Sequence, residues 1–279
     1  APAGTQVFFV ETATIPEGAF VINEILGDNL SSDRYEWVEL HNTTNAPLNI
    51  GNYMFAENNR NYFTFPVGTI IPARGYIIMT QDVTEFNSAG YQVPAGTQIF
   101  DWGTNGLNND GDDIVLANLN RINYRGQNYF LDRVVYDQVQ EVGVWPYLNQ
   151  NGTNRPLELI NPFLDNADAK SWGGAVYPVP SGQNPGTPGS QNSIYSAVQV
   201  NPFRDKTFPG NNESFTVSAA ISAIEPGVTV TGVRLVVNNN NSGFQPQTMT
   251  LSQGTTYTAT VTGAPTGGVI RYYIEVDTS

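Results

Sequence analysis

The chain has 279 residues, of which 13% are charged, and its 12 basic and 25 acidic residues give a net charge of −13. This length is enough for two domains, each with its own hydrophobic core. The acidic balance argues against nucleic acid or an anionic membrane surface as the partner, because both attract basic surfaces. No apolar run has the length that a membrane span needs, so we expect no membrane insertion.

Cysteine is absent and histidine occurs once, at His41. The chain therefore has no disulfides and no thiol catalysis. A single histidine cannot form a histidine-rich zinc site, and it argues against a Ser-His-Asp triad. A surface rich in amides and hydroxyls is typical of secreted β proteins, and the start at Ala1–Gly4 suits a chain whose signal peptide has been removed. We expect an extracellular protein that is not an enzyme.

The first predicted element is an N-terminal arm, residues 1–17, with an apolar, β-prone run. In an extended conformation Val7 and Phe9 point to one side, and Phe8 and Val10 to the other. Such an arm can cover a hydrophobic core while its backbone pairs with a strand. We therefore regard these four residues as a candidate donor strand.

Residues 18–192 contain short alternating or β-branched runs separated by turn residues, a spacing typical of β-sandwiches. Helical periodicity is confined to two short turns, near Thr84–Ala89 and Asp165–Lys170. The predicted strands are Phe20–Leu26, Trp37–Asn42, Tyr76–Thr80, Asp113–Ala117, Asp132–Asp137 and Leu157–Asn161.

Several short motifs follow one another in a characteristic order through this region. They are Val21–Ile25, Glu36–Asn42, Asn108–Leu116, Asp132–Tyr136, Trp145-Pro146, Pro156–Leu159, Trp172 and Thr187–Asn192. The series resembles the lamin-tail domain, an immunoglobulin-like sandwich of nuclear lamins and of many secreted bacterial and archaeal proteins, over residues 20–192. The resemblance implies a non-catalytic module for protein interaction or surface attachment.

Three polar features of this region are candidate sites. Asn108, Asp110 and Asp112 alternate as oxygen ligands for Ca²⁺ often do, although no bidentate glutamate follows at the required distance, and a polar hairpin turn is the favoured explanation. Glu24 and Glu39, near Glu36, could suggest paired catalytic carboxylates, but capping or edge pairing accounts for them. His41 is expected to be an exposed side chain. No other cofactor is expected.

A segment dense in Pro, Gly, Ser and Asn, Tyr177–Ser193, predicts a linker before a second domain, residues 195–279. The late runs Gly254–Ala259 and Gly268–Val276 resemble the last hairpin of immunoglobulin-like or fibronectin type III-like modules of secreted prokaryotic proteins. Six strands are predicted here: Ala197–Phe203, Ser214–Ser222, Val230–Val237, Gln247–Leu251, Tyr257–Thr262 and Ile270–Val276.

A seven-stranded sandwich needs one more strand after Ile270–Val276, so Tyr272, Ile274 and Val276 are expected to lie on an open acceptor edge. One interpretation is that the arm of another subunit fills this edge, a donor-strand exchange. Two alternatives stay open: the arm pairs within its own chain, or the sequence is a piece of a longer protein.

The fold class is therefore all-β, two tandem immunoglobulin-like β-sandwiches with an N-terminal extended arm. The functional hypothesis is a structural subunit of an extracellular filament, pilus-like appendage or surface layer, with other copies of itself as partner. The alternative is a non-catalytic adhesion or targeting module of a secreted enzyme, which binds a glycan or another cell-wall component.

Overall fold

The computed structural model describes residues 15–27, 35–57, 61–103, 106–108, 111–122, 128–137, 145–146, 155–176, 186–207 and 209–279. The chain divides into two compact units between Tyr195 and Ser196, here called unit 1 and unit 2. Strands dominate both units, which confirms the all-β prediction. In the described residues, no helix combines the length and hydrophobicity needed to cross a membrane.

The strands of unit 1 form two sheets and a short two-stranded ribbon. They are β1 (Phe20–Leu26), β2 (Trp37–Asn42), β3 (Leu48–Asn49), β4 (Tyr53–Glu57), β5 (Asn61–Thr64), β6 (Ile70–Ile71), β7 (Tyr76–Thr80), β8 (Gln98–Asp101), β9 (Gly111–Ile122), β10 (Asn128–Asp137), β11 (Leu157–Leu159) and β12 (Trp172–Gly174). One sheet has the order β12-β11-β1-β2-β7-β8 and the other the order β10-β9-β4-β5, while β3 pairs with β6. All pairs are antiparallel except β7 with β8.

The two sheets of unit 1 pack face to face around one core. Alternate residues of the six-stranded sheet, such as Ile22 and Leu40, meet Phe55, Ile114 and Val134 of the four-stranded sheet, and all five are essentially inaccessible to solvent. A strand with one face on a core and the other on water alternates apolar and polar residues. In the six-stranded sheet the polar residues on the second face are buried as well, because that face is also covered.

A short helix, α1 (Val83–Ser88), covers part of that second face. Its first turn is capped by Asp82, whose carboxylate accepts hydrogen bonds from the backbone N–H groups of Thr84 and Glu85. Phe86 packs edge-on against the buried ring of Trp37, with ring centroids 6.1 Å apart. The helical turn predicted near residues 84–89 is confirmed, and Ala169–Ser171 forms a 3-10 turn within the second predicted region.

The second face is also covered by residues 186–194, which lie in the segment interpreted as a linker. Gly186 and Gly189 have φ angles of +114° and +84°, a region that favours glycine. A Cβ on Gly186 would lie 2.9 Å from Oε1 of Glu24. The described part of this segment is therefore packed on unit 1, and the linker interpretation is wrong for it.

Unit 2 has two sheets built from seven strands. They are β13 (Val198–Arg204), β14 (Phe215–Ala223), β15 (Val230–Asn239), β16 (Gln245–Thr248), β17 (Thr250–Gln253), β18 (Thr256–Val261) and β19 (Ile270–Thr278). The order is β13-β14-β18-β17 in one sheet and β16-β15-β19 in the other. Their shared core includes Phe215, Val217, Val233, Leu235 and Val261.

The expected count of six strands is wrong because the predicted strand Gln247–Leu251 is two strands. Met249 separates them with its side chain buried in the core, and its backbone N–H donates to the carbonyl of Val233. On one side of it β16 pairs with β15, and on the other β17 pairs with β18. The chain therefore passes from one sheet to the other at this residue.

Candidate functional site

The edge of the three-stranded sheet in unit 2 is formed by β19. Its nine residues pair with β15 in a register that places Tyr272 opposite Val237, Ile274 opposite Leu235 and Val276 opposite Val233. Within the part of the chain that the structure describes, no strand pairs with the other side of β19. The edge on which Tyr272, Ile274 and Val276 were expected is therefore open in these residues.

The inward row of β19 is only partly covered. Ile270, Tyr272, Ile274 and Val276 pack against the core of unit 2 but keep some exposure. In contrast, the four inward residues of β14 are at most 2% exposed. The core of unit 2 is thus well covered at its centre and incompletely covered along β19.

The four-stranded sheet of unit 2 extends one strand beyond the three-stranded sheet on the side of β19. The rings of Phe215 on β14 and Tyr272 on β19 lie 6.5 Å apart, so β14 faces β19 across the core. Beyond β14 comes β13, whose inward Val198 and Val200 contact the same core. A strand added beside β19 would face β13 and complete the three-stranded sheet to four.

An open cavity of about 420 Å³ lies at one end of this position. Its wall includes Arg204 at the end of β13, Phe215 at the start of β14, and Ile270 and Tyr272 of β19. The rest of the wall adds polar residues such as Thr207 and Asn211, so polar and apolar groups line the cavity about equally. The cavity is large enough to take a side chain of an added strand.

The two edges that border this position differ in how well they are protected. Pro202 lies in β13, and a proline lacks the N–H that edge-to-edge pairing requires. β19 contains neither proline nor glycine over nine residues. Long strands without such interruptions are the edges most able to accept another strand.

The outward row of β19 is mixed in character. Tyr273 lies against Phe244 with ring centroids 5.4 Å apart, and both side chains are nearly half exposed. Further along, the guanidinium of Arg234 donates to the carboxylates of Glu275 and Asp277. The edge thus offers apolar contacts on both faces near Tyr273 and ionic contacts toward its end.

The candidate donor strand, Val7, Phe8, Phe9 and Val10, lies outside the described residues. Its pairing with β19 stays a prediction from the sequence.

Of the candidate calcium ligands, Asn108 and Asp112 are described and Asp110 is not. The two carboxylate oxygens of Asp112 accept hydrogen bonds from the backbone N–H groups of Asn108 and Asp113, at 2.9 and 2.7 Å. Gly111 has a φ of +131°, and its N–H donates to the carbonyl of Asn108. Asp112 therefore has a structural role in the turn, and the described residues contain no cluster of three metal-binding side chains.

His41 is buried, so its expected exposure is wrong. Its Nδ1 lies 3.1 Å from the carbonyl oxygen of Gly75, and its ring stacks on Tyr76 at 4.5 Å. Burial lowers the pKa of His41 to about 4 because it disfavours the charged imidazolium. The aromatic side chains of Trp102, Trp145 and Trp172 belong to the core of unit 1 or pack against it.

The capping or edge-pairing explanation of Glu24 and Glu39 is also wrong. Both are fully buried, and the register pairs Glu24 with Glu39 on one side and with Glu158 on the other. The three side chains form a row across β11, β1 and β2 on the face opposite the sandwich core. Like charges directly opposite each other in a sheet are destabilising, so this row needs compensating contacts.

Those contacts come from residues 187–194, here called the clasp segment. Glu39 accepts from the side chain of Asn23 at 2.7 Å and from the N–H of Gly189 at 2.6 Å. Glu24 accepts from the N–H of Thr187 at 3.1 Å, and Glu158 accepts from the N–H of Ile194 at 3.0 Å. The sequence analysis brought Glu24 and Glu39 together but gave no signal for Glu158, which lies far from both along the chain.

Residues 13–137 match the family model of the Lamin Tail Domain, which covers the region from before β1 to the end of β10. No curated protein matches the chain.

Proposed function

We propose that the protein, whose residues 13–137 match the family model of the Lamin Tail Domain, is a structural subunit of an extracellular filament, pilus-like appendage or surface layer. Subunits assemble head to tail, and the N-terminal arm of one subunit becomes the strand beside β19 in the next. The observation that carries this proposal is the open, incompletely covered edge of β19 opposite β13.

The sequence of the arm matches the chemistry of this edge. Successive apolar residues, Val7 to Val10, present side chains to both faces of an extended strand. β19 likewise has apolar side chains on both faces at consecutive positions, Tyr272 and Ile274 inward and Tyr273 outward. An added strand of this composition would cover the inward row and extend the outward contact between Tyr273 and Phe244.

The free energies of burial and association indicate that assembly needs all four apolar residues of the arm. Burial of one large apolar side chain contributes about 1.5–3 kcal/mol, so four give roughly 6–12 kcal/mol, to which backbone hydrogen bonds add. Association costs about 4–15 kcal/mol before the arm itself is ordered. Loss of one phenylalanine should therefore weaken assembly severely. A contact between two different surfaces, arm and edge, leaves a free arm and a free edge at the ends of the assembly, and it generates a filament when the rotation between subunits does not close a ring.

Deletion of residues 1–14 tests the proposal. Electron microscopy and analytical ultracentrifugation should show filaments or oligomers for the full chain and monomers for the deletion variant. Filaments that persist without the arm would contradict the proposal.

A mixing experiment separates exchange between subunits from pairing within one chain. The deletion variant has an edge but no arm, whereas an Ile274→Asp variant has an arm and a disrupted inward row. Mixed together, they should form a 1:1 complex, and an arm that pairs within its own chain would give none. Leu251→Asp is the matched control, since Leu251 is an exposed side chain on β17 at the other edge of unit 2. Near-UV circular dichroism checks that unit 2 remains folded.

An adhesive role in glycan or cell-wall binding is the second candidate, and an open cavity in unit 1 favours it. The cavity has a volume of about 750 Å³, and the half-exposed ring of Phe130 lines it together with Asp165 and Asn166. An aromatic face with adjacent amide and carboxylate groups can bind a sugar. Binding to a glycan array that is lost in Phe130→Ala would support this role, and silent arrays would count against it.

A further inference from the structure

The row of buried carboxyl groups in unit 1, Glu24, Glu39 and Glu158, has one contact that requires a proton. The hydroxyl of Thr187 lies 3.2 Å from Oε2 of Glu24 and 3.3 Å from Oε1 of Glu158. A hydroxyl has one hydrogen and can donate to only one of these oxygens. The other contact becomes a hydrogen bond only when the carboxyl carries a proton and donates to the Thr187 oxygen.

The remaining contacts of the row fit this arrangement. The hydroxyl of Ser193 and the N–H of Ile194 donate to Oε2 of Glu158, at 2.7 and 3.0 Å, while Oε1 is the oxygen that lies beside the Thr187 hydroxyl. Both oxygens of Glu39 accept from donors, Asn23 and Gly189. The proton is therefore best placed between Glu24 and Glu158.

The titratable groups that face the row are Tyr76 on β7, His41 beside Tyr76, and Tyr195 at the end of unit 1. The cation Arg74 acts electrostatically on Tyr76 and His41. Burial keeps His41 neutral, since its pKa falls to about 4. Arg74 donates to the side chain of Asn45 and lies over the ring of Phe163, 5.5 Å from its centroid. The clasp segment itself contains no ionisable side chain.

We propose that Glu24, Glu39 and Glu158 form a proton-dependent clasp, which holds residues 187–194 on the sheet while a proton is shared in the row and releases them when all three carboxyls are ionised. The clasp segment ends directly before Tyr195, the last residue of unit 1. Its release would therefore add up to about 26–29 Å of extended chain to the connection between the units.

The protonation properties of the row agree with this geometry. Burial, followed by repulsion from Glu39 and Glu158, raises the pKa of Glu24 well above its usual value. Burial likewise raises the pKa of Glu158, and it raises that of Glu39 from 4.5 to about 8. The closed clasp thus holds protons that the open one loses between pH 4.5 and about 8. Closure is favoured at the lower end of this range and weakens as the pH rises.

Amide hydrogen exchange of the full chain, followed by mass spectrometry and corrected for intrinsic exchange rates, tests the clasp. If opening releases one proton, the protection of Thr187, Gly189 and Ile194 should fall about tenfold for each pH unit between pH 6 and 8. Peptides from β14 in unit 2 serve as the internal reference. Protection of the clasp segment that stays constant over this range would overturn the proposal.

A substitution assigns the effect to the row. In Glu158→Gln the side-chain oxygen can accept from Ser193 and Ile194, while its NH₂ group donates permanently to Thr187. This variant should keep the segment protected at pH 8 and lose most of the pH dependence. Glu17→Gln, at an exposed position, is the matched control and should behave like the unaltered chain. If Glu158→Gln does not fold, Glu24→Gln supplies the same missing donor. A foldable variant with the unaltered pH profile would refute the clasp.

Discussion

Replacement of Asn192 tests whether residues 186–194 are an integral part of unit 1. The buried Asn192 side chain donates to the carbonyls of Asn23 and Leu159, at 3.0 and 2.8 Å, and accepts from the side chain of Asn23 at 2.8 Å. Asn192→Ala removes three buried hydrogen bonds and leaves their partners without replacement. At about 1 kcal/mol each, the loss is about 3 kcal/mol or more.

The expected change is large enough to measure by calorimetry. For a unit of this size, 1 kcal/mol corresponds to about 2–4 °C in Tm, so the transition of unit 1 should shift downward by about 6–12 °C. Gln191→Ala is the matched control because Gln191 is the exposed neighbouring amide, and its effect should stay within about 0.5 kcal/mol. A shift for Asn192→Ala no larger than that of the control would refute the role assigned to this segment.

Three further predictions concern other parts of the molecule. Leu235→Ala, at a fully buried position in unit 2, should cost about 2–5 kcal/mol in urea unfolding, and a change below 1 kcal/mol would contradict the core assignment. The free energy of unfolding of unit 1 should fall as the pH rises from 4.5 to about 8, because the folded row of Glu24, Glu39 and Glu158 retains a proton that the unfolded chain loses; urea titrations at pH 5 and 8 that show the opposite trend would contradict this. Chelator should not change Tm, because both oxygens of Asp112 already accept backbone N–H groups, and a clear shift would restore the calcium hypothesis.

The alternation of side chains in the sequence was sufficient to predict most strands. Phe20–Leu26, Trp37–Asn42 and Tyr76–Thr80 match the observed strands residue for residue. These segments are short, β-branched or aromatic, and bounded by turn residues, so local and tertiary preferences agree. The family motifs before residue 138 also gave the correct domain type for residues 13–137.

Other features depend on contacts between distant parts of the chain. The burial of His41, Glu24 and Glu39 results from a second covered face of the six-stranded sheet, and residues 186–194 that help to cover it are over 140 positions away along the chain. The division of one predicted strand at Met249 follows from its buried side chain. Both effects are set by tertiary packing, which overrides the local pattern.

The sequence was sufficient to predict that the last strand of unit 2 has an open edge, but not what surrounds that edge. The strand count behind the prediction was wrong, since the described residues of unit 2 form seven strands, but the last of them, β19, does have a partner on one side only. The wider opposite sheet, the cavity beside Phe215 and the unprotected length of β19 depend on how the two sheets face each other, which no local pattern reports.

Binding of the isolated arm to unit 2 tests the central proposal most directly. A fluorescently labelled peptide of residues 5–14 would be titrated with the chain that lacks residues 1–14, and anisotropy would be measured. We predict saturable 1:1 binding, together with slower hydrogen exchange in β19, and no binding for a peptide with Phe8 and Phe9 replaced by serine. Absence of binding to a chain whose unit 2 is folded, or equal binding of the serine peptide, would contradict strand complementation.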